Sequence, residues 1–106
     1  MRLRTRLTMS LLISITTMSV HAEETHLSGR ISNLTSASDG LFIMLETGVP
    51  TNCTGVGFGW MKIPEANKSM IAVALMVWQN KSGAVVYTNA LSGGQCVINQ
   101  LDPWES

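Results

Sequence analysis

The stretch PEANKSMIAVALMVWQNKSG, residues 64–83, decides the fold, because it is the one segment with a helical pattern. Proline suits the first position of a helix, and an acidic residue such as Glu65 favours the first turn. Ala, Met, Leu and Lys, which are good helix formers, are frequent over 66–81, and Gly83 is suited to stop the helix. The sequence therefore predicts one helix over 66–81.

The middle of this predicted helix is apolar on nearly every side. Residues 70–78 are all apolar. A helix that is hydrophobic all round is buried on more than one side. We therefore expect either that it packs against a second copy of the chain, or that the loops 47–55 and 89–95 cover its outer side. Nine apolar residues are too few to cross a bilayer, which takes about 20, so no transmembrane segment is predicted.

Short strand-like segments stand on both sides of the helix. The residues Asp39-Gly40 predict a hairpin turn between the first two of them. In the third, Val56, Phe58 and Trp60 alternate with glycines, which predicts one apolar, core-facing side. The predicted strands are residues 26–36, 41–45, 56–63, 84–88 and 96–101.

Three strands, a helix and two more strands is the element order of the OB-fold, a small and partly open Greek-key barrel. Other α+β arrangements share that order. We interpret the chain as β-rich α+β, with a five-stranded OB-like barrel and one helix between strands 3 and 4. Residues 23–106 would form this single small domain.

Residues 1–22 have the pattern of a secretory signal peptide. Arg2, Arg4 and Arg6 precede a short apolar stretch, and Val20 and Ala22 occupy the small-residue positions of a cleavage site. The pattern predicts an exported protein, either periplasmic or secreted. An oxidising compartment would also permit disulfides.

Two cysteines, Cys53 and Cys96, follow the predicted signal. In an exported protein they predict one disulfide. Two free buried thiols are the alternative. A metal site is disfavoured, because only His26 could join the two sulfurs as a ligand.

The charge pattern and the scarcity of histidine exclude several function classes. After residue 22 the chain carries four basic and seven acidic side chains, a net charge of −3, which argues against nucleic acid as a partner. His26 is the only histidine there, and with Glu23 and Glu24 it lies close to the predicted new N-terminus, where we expect a frayed, solvated tail rather than a catalytic site. The residues Gly55-x-Gly57-x-Gly59 lack the spacing of a dinucleotide-binding loop. We therefore predict no enzyme, no catalytic residues, no metal and no cofactor.

Short motifs along the chain add a family resemblance. Cys53 precedes a strand ending in Trp60-x-x-Ile63, the helix contains Lys68-x-Met-Ile-Ala, and the chain continues with Gly-x-Val-Val and Cys96-Val-Ile. This pattern resembles small exported OB-fold proteins related to the B subunit of subtilase cytotoxin. The resemblance implies an OB barrel, a disulfide and, as in the toxin members, a pentameric ring that binds host glycans. No glycan-contact motif matches position by position.

These observations predict a non-enzymatic exported binding module, forming a homo-oligomer or binding a glycan or another cell-surface ligand. The alternative is a periplasmic structural or inhibitor-like protein that acts through protein–protein contact. Trp60 is predicted to serve either the core or a ligand, and Trp104 either plugs an edge or makes an exposed contact. The candidate ligand or interface residues are Trp60, Met70, Val73, Val77, Trp78 and Trp104.

Overall fold

The computed structural model describes residues 23–104, so the predicted signal peptide, residues 1–22, lies outside the described residues. Five strands and one α-helix make up the described part. They are β1 (His26–Ala37), β2 (Gly40–Leu45), β3 (Met61–Pro64), α1 (Lys68–Asn80), β4 (Gly83–Thr88) and β5 (Cys96–Trp104). Two short 3₁₀ turns, Thr51–Cys53 and Gly57–Gly59, lie between β2 and β3. No helix within residues 23–104 is long and apolar enough to cross a membrane.

The five strands close into a ring in the order β1-β2-β3-β5-β4. Strand β1 closes it by pairing twice: His26–Arg30 with β4, and the part from Ile31 onward with β2. The register shifts between Ile31 and Asn33, where β1 changes partner. A bulge of this kind bends a strand, which lets one strand serve both sides of a ring. The predicted class, a β-rich chain with five strands and one helix between the third and the fourth, is confirmed.

The core fills the ring because alternate residues of each strand point inward. Strand β2 contributes Leu41, Ile43 and Leu45, all buried. Helix α1 adds Ala74 and Val77, which are fully buried. The remaining buried apolar residues are Ile31, Cys53, Met61, Ile63, Ala84, Val86, Cys96, Ile98 and Leu101.

The predicted third strand, 56–63, is wrong over its first half. Strand β3 begins only at Met61, and Gly57–Gly59 form a 3₁₀ turn. Phe58 has φ 57° and ψ 10°, and its side chain is 87% exposed, so it does not share a buried face with Val56 and Trp60. Gly59, with φ 79°, continues this turn in a conformation that glycine adopts more readily than other residues. The alternation of Val56, Phe58 and Trp60 with glycines is typical of a strand, although the segment forms a turn.

The ends of the other elements also differ from the predictions. Helix α1 begins at Lys68 rather than at 66, and Pro64 ends β3 instead of opening the helix. The helix closes on Lys81, whose left-handed backbone (φ 55°) turns the chain, so Gly83 belongs to β4. Strand β5 does not stop at 101 but continues to Trp104. Pro103 lies beyond Cys96 and Val97, the two residues that pair with β3, so β5 has one free edge there, and a proline is tolerated on a strand edge.

A disulfide and a small polar network hold one end of the ring together. Cys53 and Cys96 are bonded, with a Cα–Cα distance of 5.6 Å, which confirms the predicted disulfide; residues 23–104 contain no free cysteine. Beside it, the buried Asn52 side chain donates through Nδ2 to the carbonyl oxygen of Thr88 at 2.9 Å. The Thr88 hydroxyl donates in return to Asn52 Oδ1 at 2.7 Å. The β2–β3 loop is thereby joined to the end of β4 and to the start of β5.

Candidate functional site

The structure divides the six predicted ligand or interface residues between core and surface. Val77 is fully buried, so it is not available to a ligand or partner, and Met70 and Val73 are half-buried against the core. Trp78, in contrast, remains 41% exposed. Trp60 is half-buried just ahead of β3, and Trp104 is half-buried at the end of β5.

The outer side of α1 is open. Leu75, Met76 and Trp78 are each more than 40% exposed, so the prediction that the loops 47–55 and 89–95 cover this side is wrong. Val49 and Leu91, from those two loops, pack instead against the core cluster. The apolar side chains of the helix outnumber the inward positions that one small ring offers.

A groove lies beside the exposed Trp78, with a volume of about 280 Å³. We call it the Trp78 groove. It forms where β1 bends away from β4, and where the backbone N–H of Glu46 donates to the carbonyl oxygen of Arg30 at 2.9 Å. The left-handed turn at Lys81 closes the helix end of the groove. Its lining residues are Arg30, Ile31, Ser32, Glu46, Trp78 and Lys81.

Three of these lining residues are ionisable, namely Arg30, Glu46 and Lys81. Within residues 23–104 the only ion pair joins Lys62 to Asp39, at 2.8 Å, so the three charges of the groove do not pair with one another. The Lys62 ammonium lowers the pKa of Asp39 chiefly through that hydrogen bond. The groove therefore offers an indole surface together with charged groups that can still form hydrogen bonds with a ligand.

A second cavity, of about 380 Å³, lies on the other flank of the helix end. We call it the Trp104 pocket. All of its lining residues are uncharged: Met76, Asn80, Ser82, Pro103 and Trp104. The Trp104 indole lies over Gly83, its cross-strand partner, at a spot that only a residue without a Cβ leaves open. Its Nε1 is buried and has no hydrogen-bond acceptor within the described part of the chain.

Phe58 is the exposed residue that the sequence reasoning missed. It projects from the turn between the disulfide and β3, and it is far more exposed than any other large apolar side chain described. Backbone bonds from Gly59 to Val56 and from Trp60 to Gly57 fix the turn. The signal in the sequence is the glycine on either side of Phe58, which favours a turn as well as a strand.

The ionisable residues of the described chain do not form a candidate metal site. Residues 23–104 contain no group of three or more His, Cys, Asp or Glu side chains placed to hold a metal ion. His26 is not on a frayed tail, because it is part of β1, where its ring stacks on Tyr87 with centroids 5.5 Å apart.

Comparison with known proteins leaves the function to be argued from this geometry. No model of a protein family, no curated protein and no solved structure matches the chain. The resemblance to relatives of the subtilase cytotoxin B subunit therefore remains a prediction from the short motifs around Cys53 and Cys96.

Proposed function

We propose that this protein is an exported, non-enzymatic binding module with an OB-fold, and that the Trp78 groove binds a glycan. The observation that carries the proposal is an exposed indole beside three charged side chains that do not pair with one another. A sugar ring has an apolar face of C–H groups that packs on an aromatic ring. Its hydroxyl groups suit the hydrogen-bonding heads of Arg30, Glu46 and Lys81.

Two features of the fold support the wider proposal. The ring order β1-β2-β3-β5-β4 with a helix between β3 and β4 agrees with the OB-fold, whose faces and loops often bind oligosaccharides. The disulfide is compatible with export to the periplasm or outside the cell, where thiols oxidise.

Glycan binding is tested with two neighbouring helix variants. Wild type should bind at least one structure on a glycan array, and titration calorimetry with that glycan gives the affinity. We expect Trp78→Ala to weaken it at least tenfold, a loss of about 1.4 kcal/mol, because the stacking surface is removed. Leu75→Ala is the matched control: Leu75 is 43% exposed on the same helix but lies outside the groove. Its affinity should equal that of wild type.

The charged groups of the Trp78 groove provide a second test of glycan binding. Glu46→Gln keeps the size of the side chain but removes its charge, and it should change the affinity for the same glycan without changing the melting temperature. Binding that survives Trp78→Ala unchanged would place the ligand elsewhere. An array without any bound structure would contradict glycan binding altogether.

The second candidate function is action by protein–protein contact. The specific observation in its favour is Phe58, a large apolar side chain held in solvent on a fixed turn. Aromatic side chains of this kind are typical anchors of protein interfaces.

A further inference from the structure

Phe58 combines high exposure with backbone strain. Its φ of 57° lies in the left-handed region, which is uncommon for bulky residues. Neither exposure nor strain benefits the isolated fold, and strained residues of this kind cluster where a protein makes contact with something else. We therefore look for a binding partner of the protruding Phe58 side chain outside the strand ring of its own chain.

The Trp104 pocket has the size and the chemistry to receive a phenyl ring. A cavity of about 150 Å³ lined by apolar side chains already holds benzene, and this one is larger. The Met76 thioether and the Trp104 indole both make favourable contacts with aromatic rings. Ser82 and Asn80 also line it; both are polar and carry no charge.

Charge favours the same pairing. No charged residue occurs from Thr47 to Met61, the segment that carries Phe58, and none lines the Trp104 pocket. Two copies of a chain with a net charge of −3 after residue 22 repel each other, and a contact through neutral surfaces avoids the further cost of placing like charges side by side. The Phe58 turn and the Trp104 pocket are two such surfaces, and burying them together leaves no charge unpaired.

The two surfaces lie at opposite ends of β5 and cannot meet within one chain. Phe58 comes just before Met61, which pairs with Cys96 at the start of β5, whereas Trp104 ends that strand. The eight residue-to-residue steps of this extended strand separate its two ends by roughly 25 Å. We propose that Phe58 of one copy inserts into the Trp104 pocket of a second copy. The contact is head-to-tail, so each chain presents one knob and one pocket.

Complementary variants test this proposal by the mass in solution, from light scattering on a sizing column over a concentration series. The full-length chain is expressed for export and purified with its disulfide formed. Phe58→Asn removes the knob, and asparagine tolerates a left-handed backbone. Met76→Glu places a charge in the pocket. We expect the wild-type mass to rise above that of one chain with concentration, and each variant to remain a single chain.

Mixing the two variants is the decisive step. Phe58→Asn retains an intact pocket and Met76→Glu an intact knob, so an equimolar mixture should form pairs of two chains and nothing larger. Leu75→Glu, the neighbouring helix position outside the pocket, is the matched control and should assemble like wild type. Trp78→Ala should also assemble, so failure of glycan binding leaves this result untouched.

Two outcomes would overturn the proposal: a wild-type mass of one chain at the highest concentration, or a mixture that stays monomeric. Thermal unfolding checks that loss of assembly is not caused by loss of folding. Phe58→Asn should melt at or above the wild-type temperature at a concentration where both are single chains, because the strain at this position is relieved.

Discussion

Removing the disulfide should destabilise this protein more than any single surface change. For the double variant Cys53→Ala with Cys96→Ala we expect the free energy of unfolding to fall by about 4 kcal/mol, the loop-closure value for the intervening segment. The two cysteines are 43 positions apart, so the bond restricts a large part of the unfolded chain. For a domain of this size the melting temperature should drop by about 15–30 °C.

Calorimetry of wild type, of the double variant and of wild type in reductant measures this effect. Reduced wild type should melt close to the double variant, since both lose the same covalent restriction. Thiol titration is the control: no thiol should react in the unreduced protein, even after unfolding, and two should react after reduction. Two reactive thiols in the native exported protein would contradict the bond, and a shift below about 5 °C would contradict its energetic role.

The element order and the disulfide could be predicted because each depends on short-range pattern or on simple counting. Apolar runs and turn residues indicate the strands, and an even number of cysteines in a chain that is predicted to be exported indicates the bond. The prediction of a strand over residues 56–60 was wrong because the alternation of apolar residues and glycines carries no information on the backbone φ angles. The sequence Val56-Gly-Phe58-Gly-Trp60 suits a strand by its pattern, whereas the structure turns it and exposes Phe58.

The Trp78 groove could not be predicted, for a different physical reason. Arg30 comes from β1, Glu46 follows β2 and Lys81 closes α1, so the three charges are distant in sequence. The bend of β1 after Ile31 brings them to one side of Trp78. Such a bend is a property of the closed ring. The helix is apolar on nearly every side, so its sequence does not predict which side packs against the ring of strands.

Replacing a glycine by alanine should give the second large loss of stability, and the space around each glycine predicts how large that loss is. At Gly40 an added Cβ would overlap the carbonyl oxygen of Ile63 and lie 3.3 Å from the amide nitrogen of Glu65. The oxygen belongs to the paired strand β3 and the nitrogen to the residue that follows it, so relief requires breaking the β2–β3 ladder. We expect Gly40→Ala to cost about 3 kcal/mol, at the upper end of overpacking changes. Gly57→Ala is the matched control, because no atom lies within 4 Å of its Cβ.

At Gly83 the obstacle is a side chain rather than backbone. A Cβ there would collide with the Trp104 indole at the end of β5, and a side chain can change rotamer without breaking a ladder hydrogen bond. Gly83→Ala should therefore cost only about 1 kcal/mol but shift tryptophan emission to longer wavelength as the indole becomes exposed. Denaturant unfolding and fluorescence of the three glycine variants check both statements. Equal destabilisation by Gly40→Ala and Gly57→Ala would contradict the ranking.

If the Trp104 pocket receives Phe58, Gly83→Ala should also lose self-association while staying folded, because a displaced indole no longer lines the cavity.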